Sequence, residues 1–576
     1  MNKNSLYLLL FVLSTLSLKG QELNTQIKQL VERQLIEKEN SDFETTGDIS
    51  LVLDETEIPL ENDLDTVDYS SPIQDFYRQR GYKAVWYSEG SFLAKGDSFL
   101  QVLENADFFA LSPEYYEYDT LVQHYDSLNN YKLEMYLTDP ADLALFDVML
   151  TERALQFATD MQYGRIASEK LPTHWEIPAD DEVPNQLLEA IIESPTVKDG
   201  VDCVQPENEQ YLALLAKYRE FKELAKADTI SWTIASDKKI ELGDSSKSVL
   251  SIRNRLTALY PQLSEDIFLG KNKNNLTAQD TASLMVFDST LVNYMKKYQL
   301  AYGLEPDGVA GPNTIKTMSK PLAEWIPTIE INLDRWRQLP ANLGGQHIIV
   351  NIAGYYLDVF EGNTSGLHKQ VMVGTVRNST PVFSDILQYI EVNPYWTVPY
   401  SISTREILPK VKRDPGYLSR NNYEVLSGGS AIDPSFIDWS SVGRAGFPYV
   451  FRQKPGIKNA LGTVKFMFPN QNNIYLHDTP SKRLFAETYR AFSHGCVRLE
   501  NPMELAYYLF KDDPEWGPEA LDNALNLRKN KRIYLKQSIP IFLMYFTATV
   551  NQQNELQFYP DVYKIDPLFL AEWADK

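Results

Sequence analysis

A chain of 576 residues exceeds what one hydrophobic core organises, so several domains are expected. Hydrophobic residues at 43% and aromatics at 12% exclude a disordered chain. A formal net charge of −23 excludes the basic face that nucleic acid demands and gives no help on anionic lipid.

The N-terminus carries Lys3 ahead of the apolar run Leu6–Leu13, which fades through Ser14, Thr15, Leu16, Ser17 and Leu18 into Lys19-Gly20. A charged start followed by a short hydrophobic stretch is the pattern of a secretory signal, and it is short for a membrane span. Leu18 fits poorly where a small residue is preferred before cleavage. Residues 1–20 therefore read as a signal peptide, or as an anchor if uncleaved, and the protein is expected in the periplasm. Residues 21–70 are acidic, as in Glu55-Thr56-Glu57, and poor in aromatics, which predicts a solvated linker.

From Ser71 the pattern turns helical. Ile73, Phe76, Tyr77 and Arg80 fit one helix, followed by Gly81 and an aromatic stretch through Trp86-Tyr87. Two more helices are predicted near 141–163 and 207–226. A helical domain over 71–237 follows, its large aromatics serving as core. A smaller unit spans 238–321. Leu242-Gly243-Asp244-Ser245 caps a helix with Val249, Ile252, Leu256 and Leu259 inward, and a second helix lies near 287–301. Asp307-Gly308-Val309-Ala310-Gly311-Pro312 then turns into a third. This unit resembles the three-helix peptidoglycan-binding-like domain. A helical spacer that binds nothing has the same pattern.

From about 346 the period changes to that of strands: 347–352, 355–360, 370–374, 386–390, 463–468 and 473–477. Many short strands predict a sandwich or barrel over 346–537. The Gly/Ser-rich and charged stretch 399–460 is long enough to be a lid. A strand-rich segment over 538–576 closes the chain. The expected fold is thus multidomain α+β, with two helical modules and a mainly β, sandwich-like domain.

Only two cysteines occur, Cys203 and Cys496. In an exported chain a disulfide between them is one reading; a reactive thiol is the other. Cys496 sits in Ser493-His494-Gly495-Cys496-Val497-Arg498, nineteen residues after His477. On a strand, Tyr475 and His477 share one face while Ile474 and Leu476 point into the core. The nearby cations are expected to lower the thiol's pKa, His477 can take its proton, and backbone N–H groups around Gly495 and Cys496 can hold an oxyanion. A cysteine and a histidine taken singly are more often packing residues than catalysts. His477, His494 and Cys496 as zinc ligands fit no zinc hydrolase spacing, and no metal or nucleotide motif appears, so no cofactor is expected.

The combination of an upstream histidine with S/T-H-G-C-x-R/N resembles the L,D-transpeptidase catalytic domain. The likeness extends to the large, multidomain members of that family. Phe76-Tyr77 with Trp86, and Asn332–Pro340 in a return segment over 322–345, resemble their scaffold domain. Val373-Gly374-Thr375, Thr380–Ser384, Pro455-Gly456, Asn459–Gly462 and Lys465-Phe466 resemble their catalytic blocks, and Asn393-Pro394-Tyr395-Trp396 the entrance to their lid.

The resemblance implies a chemistry. Cys496 attacks the carbonyl of the third residue of a peptidoglycan tetrapeptide stem, D-alanine leaves with a proton from His477, and a neighbouring stem's amine resolves the acyl-enzyme into a 3→3 cross-link. It implies active-site roles for Gly495, Tyr475 and Arg498, a backbone carbonyl orienting His477, substrate contacts at Tyr395 and Trp396, and acylation by carbapenems. His494 reads equally as a residue tying the catalytic loop. Donor and acceptor stems are the expected partners, with other cell-wall enzymes beside them, no nucleic acid, and membrane only through the N-terminal segment. An L,D-carboxypeptidase on the same site and a noncatalytic wall-binding scaffold are the alternatives.

Overall fold

The computed structural model describes residues 20–32, 70–88, 91–130, 139–166, 175–177, 184–228, 232, 234–235, 238–271 and 275–574. Residues 1–19 of the expected signal or anchor lie outside these. Among the described residues no helix is long and apolar enough to cross a membrane.

One expectation fails at once. Residues 21–32, assigned to the solvated linker, belong to a helix over 20–32 whose Leu23, Ile27 and Val31 are buried in the core of the helical domain. Their four-residue spacing puts all three on one face, and burial of that stripe outweighs the acidic composition of the flanking chain. Tyr82 adds a hydroxyl bond of 2.9 Å to Glu32 at the helix end.

The helical domain is organised by Pro140–Tyr163, which starts at an Asp139 N-cap with Pro140 in its first turn. Its buried Asp147 is held by donors converging from elsewhere: the Tyr77 hydroxyl at 2.7 Å, and the backbone N–H groups of Val85 and Trp86 at 3.0 and 2.8 Å. The Trp86 indole donates to Thr151 on the next turn. The aromatics at 76, 77 and 86 are therefore core, and their polar tips are satisfied.

The chain returns through Ile326–Arg337, a helix buried on nearly every side. Arg335, fully buried, donates to Asp566 at 2.8 Å and so joins it to the C-terminal helix Asp566–Ala574. Breaking such a buried pair costs about 3–5 kcal/mol because one charge is stranded.

The small helical unit contains Lys247–Leu259, Ser289–Ala301 and Pro312–Ser319, close to where periodicity places them. Gln299 clamps the glycine-rich turn, donating to Asp307 and Val309 and accepting from Gly308. Arg255 reaches Asp228 at the end of the preceding helix, linking this unit to the helical domain.

The catalytic-type domain has a sheet closed on itself. Its strands are β1 (Gln346–Asn351), β2 (Tyr356–Glu361), β3 (Thr364–Gly374), β4 (Val382–Val392), β5 (Val464–Met467), β6 (Leu476–His477), β7 (Val497–Leu499) and β8 (Lys531–Met544). Pairing runs β1–β2–β3–β7–β6–β5–β4–β8 and back to β1. Closure removes the free edges that an open sheet would leave. The expected boundary at 537/538 falls inside β8, so the structure does not divide there. The last segment supplies part of this central strand, a hairpin (Ala548–Val550 with Leu556–Phe558) and a helix rather than a strand-rich appendage.

The stretch 399–460 folds around its own small core, Val398, Leu408, Val411, Leu418, Val425, Trp439 and Phe451. Strands Tyr423–Ser427 and Val450–Gln453 pair within it, and Trp396-Thr397 closes its base.

Candidate active site

Strands β6 and β7 run parallel, with Leu476 opposite Val497 and His477 opposite Arg498. The Val497 N–H donates to the Tyr475 carbonyl at 3.2 Å, so Cys496 lies level with Tyr475. Residues level on neighbouring strands share a face. Tyr475, His477, Cys496 and Arg498 are thereby brought together on one face, while Ile474, Leu476, Val497 and Leu499 are buried on the other. On the far side of β6, Lys465 stands opposite His477, with its ammonium 4.9 Å from the Tyr475 ring centre and 3.5 Å from Glu391.

His477 is buried, and its Nδ1 lies 2.5 Å from the backbone carbonyl of Asp478. That carbonyl fixes Nδ1 as the donor and leaves Nε2 with a lone pair. The Asp478 carboxylate looks elsewhere: Oδ2 accepts from the N–H and hydroxyl of Thr463, each at 2.8 Å, and Oδ1 from the Thr479 N–H. It packs against Gly462, where any Cβ would lie 2.3 Å from the carboxyl carbon. Asp478 therefore anchors the strand end without belonging to a triad.

Burial, reinforced by the Arg498 charge, depresses His477 to a pKa of about 3. Burial pushes the Cys496 thiol up, against the opposing pull of Tyr475, Lys465 and Arg498. The cations were expected to win; desolvation outweighs them. At neutral pH Cys496 consequently rests as the thiol, 3.7 Å from the Asn473 carbonyl, and His477 as the neutral imidazole. Both cysteines are free, Cys203 being exposed on a distant helix, so no disulfide joins them.

The buried histidine has a consequence for acid stability. The folded form stays neutral down to about 3, whereas an unfolded histidine takes its proton near 6.5. Between those values the unfolded state binds the extra proton, so stability is intact above 6.5 and falls as pH drops toward 3, by roughly 1.4 kcal/mol per unit from this group. Urea midpoints taken from pH 7 to 4 are expected to fall less steeply for His477→Gln than for the unsubstituted protein. Parallel slopes would contradict this.

The cysteine loop is held from three sides. Gly495 adopts φ +120°, a conformation side chains rarely take, and its N–H donates to Ser493 Oγ at 3.1 Å. Its own N–H is thus engaged, so Gly495 contributes backbone shape rather than an oxyanion donor. Thr380, a residue the motif does not reveal, donates through its hydroxyl to the Gly495 carbonyl at 2.6 Å and accepts from the Gly374 N–H at 2.9 Å. In a trans peptide the N–H points opposite to the C=O. Thr380 therefore turns the Cys496 N–H away from itself.

His494 points outward and its Nε2 meets Glu406 Oε1 at 2.6 Å. Glu406 lies in the lid, within the π-wound turn Ser403–Ile407. This contact joins His494 to a partner 88 residues distant in sequence. Half-exposed pairs of this kind are worth up to about 1 kcal/mol. Glu406→Ala is accordingly expected to raise the rate of Cys496 alkylation by up to about fivefold. An unchanged rate would show that the pair does not hold the lid.

Tyr395 and Trp396 lie at the base of the lid. Trp396 pairs with Gln453 and packs toward the lid core, and the Arg452 guanidinium covers the Tyr395 ring at 4.8 Å. Neither stands on the strand pair that carries His477 and Cys496.

Family descriptions match three stretches: an L,D-transpeptidase catalytic domain over residues 345–514, a scaffold domain over 71–217, and a "Putative peptidoglycan binding domain" over 245–318. A curated protein of Haemophilus influenzae named "Putative L,D-transpeptidase" is 37% identical over 239 residues, covering 41% of this chain. The match spans 48% of that relative's length. A solved L,D-transpeptidase from Xylanimonas cellulosilytica DSM 15894 aligns at 14% identity over 54% of this chain and 99% of the other, with a TM-score of 0.17. A structure described as the Ldtfm-avibactam carbamoyl enzyme aligns at 9% identity over 36% and 51%, also at 0.17. Neither overlay carries weight at that score. The chain thus joins an L,D-transpeptidase catalytic domain, a scaffold domain and a putative peptidoglycan-binding domain in one polypeptide.

Proposed function

We propose that this protein is an exported peptidoglycan L,D-transpeptidase that forms 3→3 cross-links through a thioester on Cys496. The observation that supports it most is the shared face of Tyr475, His477, Cys496 and Arg498, with His477 held by a backbone carbonyl so that Nε2 is the basic nitrogen.

His477 takes the thiol proton as Cys496 Sγ bonds to the carbonyl carbon of the third stem residue. The oxyanion that forms is met by the Cys496 N–H, turned toward it by Thr380. Collapse breaks the amide bond, and D-alanine departs with the proton held by His477. The amine of a second stem then attacks the thioester, gives its proton to His477, and returns Cys496 as thiol. Tyr475 and Arg498 border the thiol; burial keeps the Tyr475 hydroxyl protonated, so it is a hydrogen-bond donor there. The lid, reaching the loop through Glu406, limits the water that would otherwise resolve the thioester. A wall substrate places the protein outside the cytoplasm, in the periplasm.

The test is incubation with disaccharide-tetrapeptide followed by mass spectrometry. A dimer lighter than two substrates by one D-alanine, absent from Cys496→Ala, is the expected product. Tripeptide alone would replace this reading with a carboxypeptidase, and no product and no adduct would leave a wall-binding protein.

A further inference from the structure

Away from Cys496, a cleft of about 360 Å³ opens where three parts of the chain meet. One wall is the outer face of β2 and β3, and the other is the hairpin Ala548–Phe558. Gln210 reaches its rim from the helical domain and Leu300 from the small helical unit.

The chemistry inside narrows what it can hold. Ser365, His368 and Asp358 invite comparison with a hydrolytic triad, but both Ser365 and His368 contact the same Asp358 oxygen, at 3.3 and 2.8 Å. Ser365 therefore has no histidine base, and Asp358 is engaged by its neighbours rather than open to a cation. The guanidinium of Arg490 is held by the backbone, giving three of its N–H groups to the carbonyls of Val371, Glu487 and Tyr355. An anionic ligand would have to share that guanidinium with three backbone carbonyls. What remains is aromatic surface and amide groups: Trp336, Tyr356 and Tyr559 supply rings, and Gln370 and Gln557 supply groups that both donate and accept. Trp336 lines the cleft while almost wholly buried, its indole N–H without a protein partner.

Rings for apolar C–H faces, amides for hydroxyl and acetamido groups, and charged groups already held by protein partners match a neutral N-acetylated sugar. The volume suits one or two such rings, being at the small end of ligand pockets. We infer that this cleft is a saccharide subsite that takes N-acetylated sugar of a glycan strand while Cys496 acts on the peptide. The glycan's origin in the wall rests on the function proposed above; the subsite itself does not.

The experiment titrates tetra-N-acetylchitotetraose into the full chain carrying Cys496→Ala, by calorimetry. Saturable binding is expected, weakened about tenfold by Trp336→Phe, which removes the indole N–H and part of the ring surface, and by Gln370→Ala. Gln552→Ala, at the exposed tip of the hairpin, gives a variant whose folding is not at stake and is expected to weaken binding several-fold. No binding at millimolar sugar overturns the subsite, and so does binding that all three variants leave unchanged. Turnover of the disaccharide-tetrapeptide by the Cys496-intact enzyme is read separately. Its loss would overturn the transpeptidase reading with sugar binding intact, and its persistence without sugar binding would overturn only the cleft.

Discussion

Cys496→Ala is expected to abolish both turnover and the covalent acyl adduct, whereas His477→Gln lowers kcat by about 100- to 10,000-fold and still forms the adduct slowly. The difference follows from the resting protonation states. Burial raises the thiol and depresses the imidazole, so little thiolate is present at neutral pH, and in the proposed mechanism His477 takes the proton during attack. Without the imidazole, reaction is left to the small thiolate fraction. Because the thiol's pKa is raised, that fraction grows about tenfold with each pH unit until the thiol titrates. Acylation by His477→Gln should climb with that slope, while Cys496→Ala stays silent at every pH. In the unsubstituted enzyme, His477 is already neutral across the physiological range, so no acid limb near 6.5 should come from it. The measurement is acyl-adduct formation against pH by intact mass. A His477→Gln variant that acylates as fast as the parent, with no pH slope, would remove His477 from the mechanism.

How far the chain's order could be read before its structure depended on the range of the interactions involved. Strands β1 and β2 were legible, and β3 and β4 over 370–374 and 386–390, because short β-branched runs are punctuated by glycine and asparagine and each run is satisfied by its neighbour in the sheet. Strand β8 was legible only in its second half. It opens Lys531-Arg532-Ile533-Tyr534-Leu535-Lys536 with most of these side chains outside the core, so its first half lacks an apolar signal although Lys531, Arg532, Ile533 and Tyr534 pair with β4. The helix at 20–32 was hidden by the opposite error, a judgement on charge where three apolar residues four apart decide burial. At the site, the residues on one short motif face were visible from alternation. Their supports were not. Glu406 meets His494 across 88 residues and Thr380 meets Gly495 across 115, and no local pattern encodes a contact at that separation. The direction of the thiol's pKa was misjudged for a related reason: neighbouring cations are written in the sequence, whereas desolvation is a property of the assembled fold.

Thr380→Val is expected to lower kcat by about 100-fold with little change in KM. The valine is close in shape, and Thr380 is buried, so the substitution removes one hydroxyl and little else. That hydroxyl is nevertheless the junction of two bonds. It accepts from Gly374 N–H and donates to the Gly495 carbonyl, and its position is fixed by the Tyr563 hydroxyl, which accepts from the Thr380 N–H at 3.2 Å and donates to the Gly374 carbonyl at 2.7 Å. Losing it leaves a buried N–H and a buried carbonyl unpaired, at a cost to stability of about 1–3 kcal/mol for each group. It also frees the Gly495–Cys496 peptide, which at φ +120° depends on outside contacts for its orientation. A misdirected Cys496 N–H no longer meets the oxyanion, a group absent from the bound substrate, so the loss falls on kcat rather than on binding. Thr380→Ser keeps the hydroxyl and should restore most of the rate. Alkylation of Cys496 by iodoacetamide forms no oxyanion and should proceed in Thr380→Val as in the parent. If alkylation slows in step with turnover, Thr380 supports the loop's fold as a whole; if only turnover falls and serine rescues it, Thr380 aims the oxyanion donor.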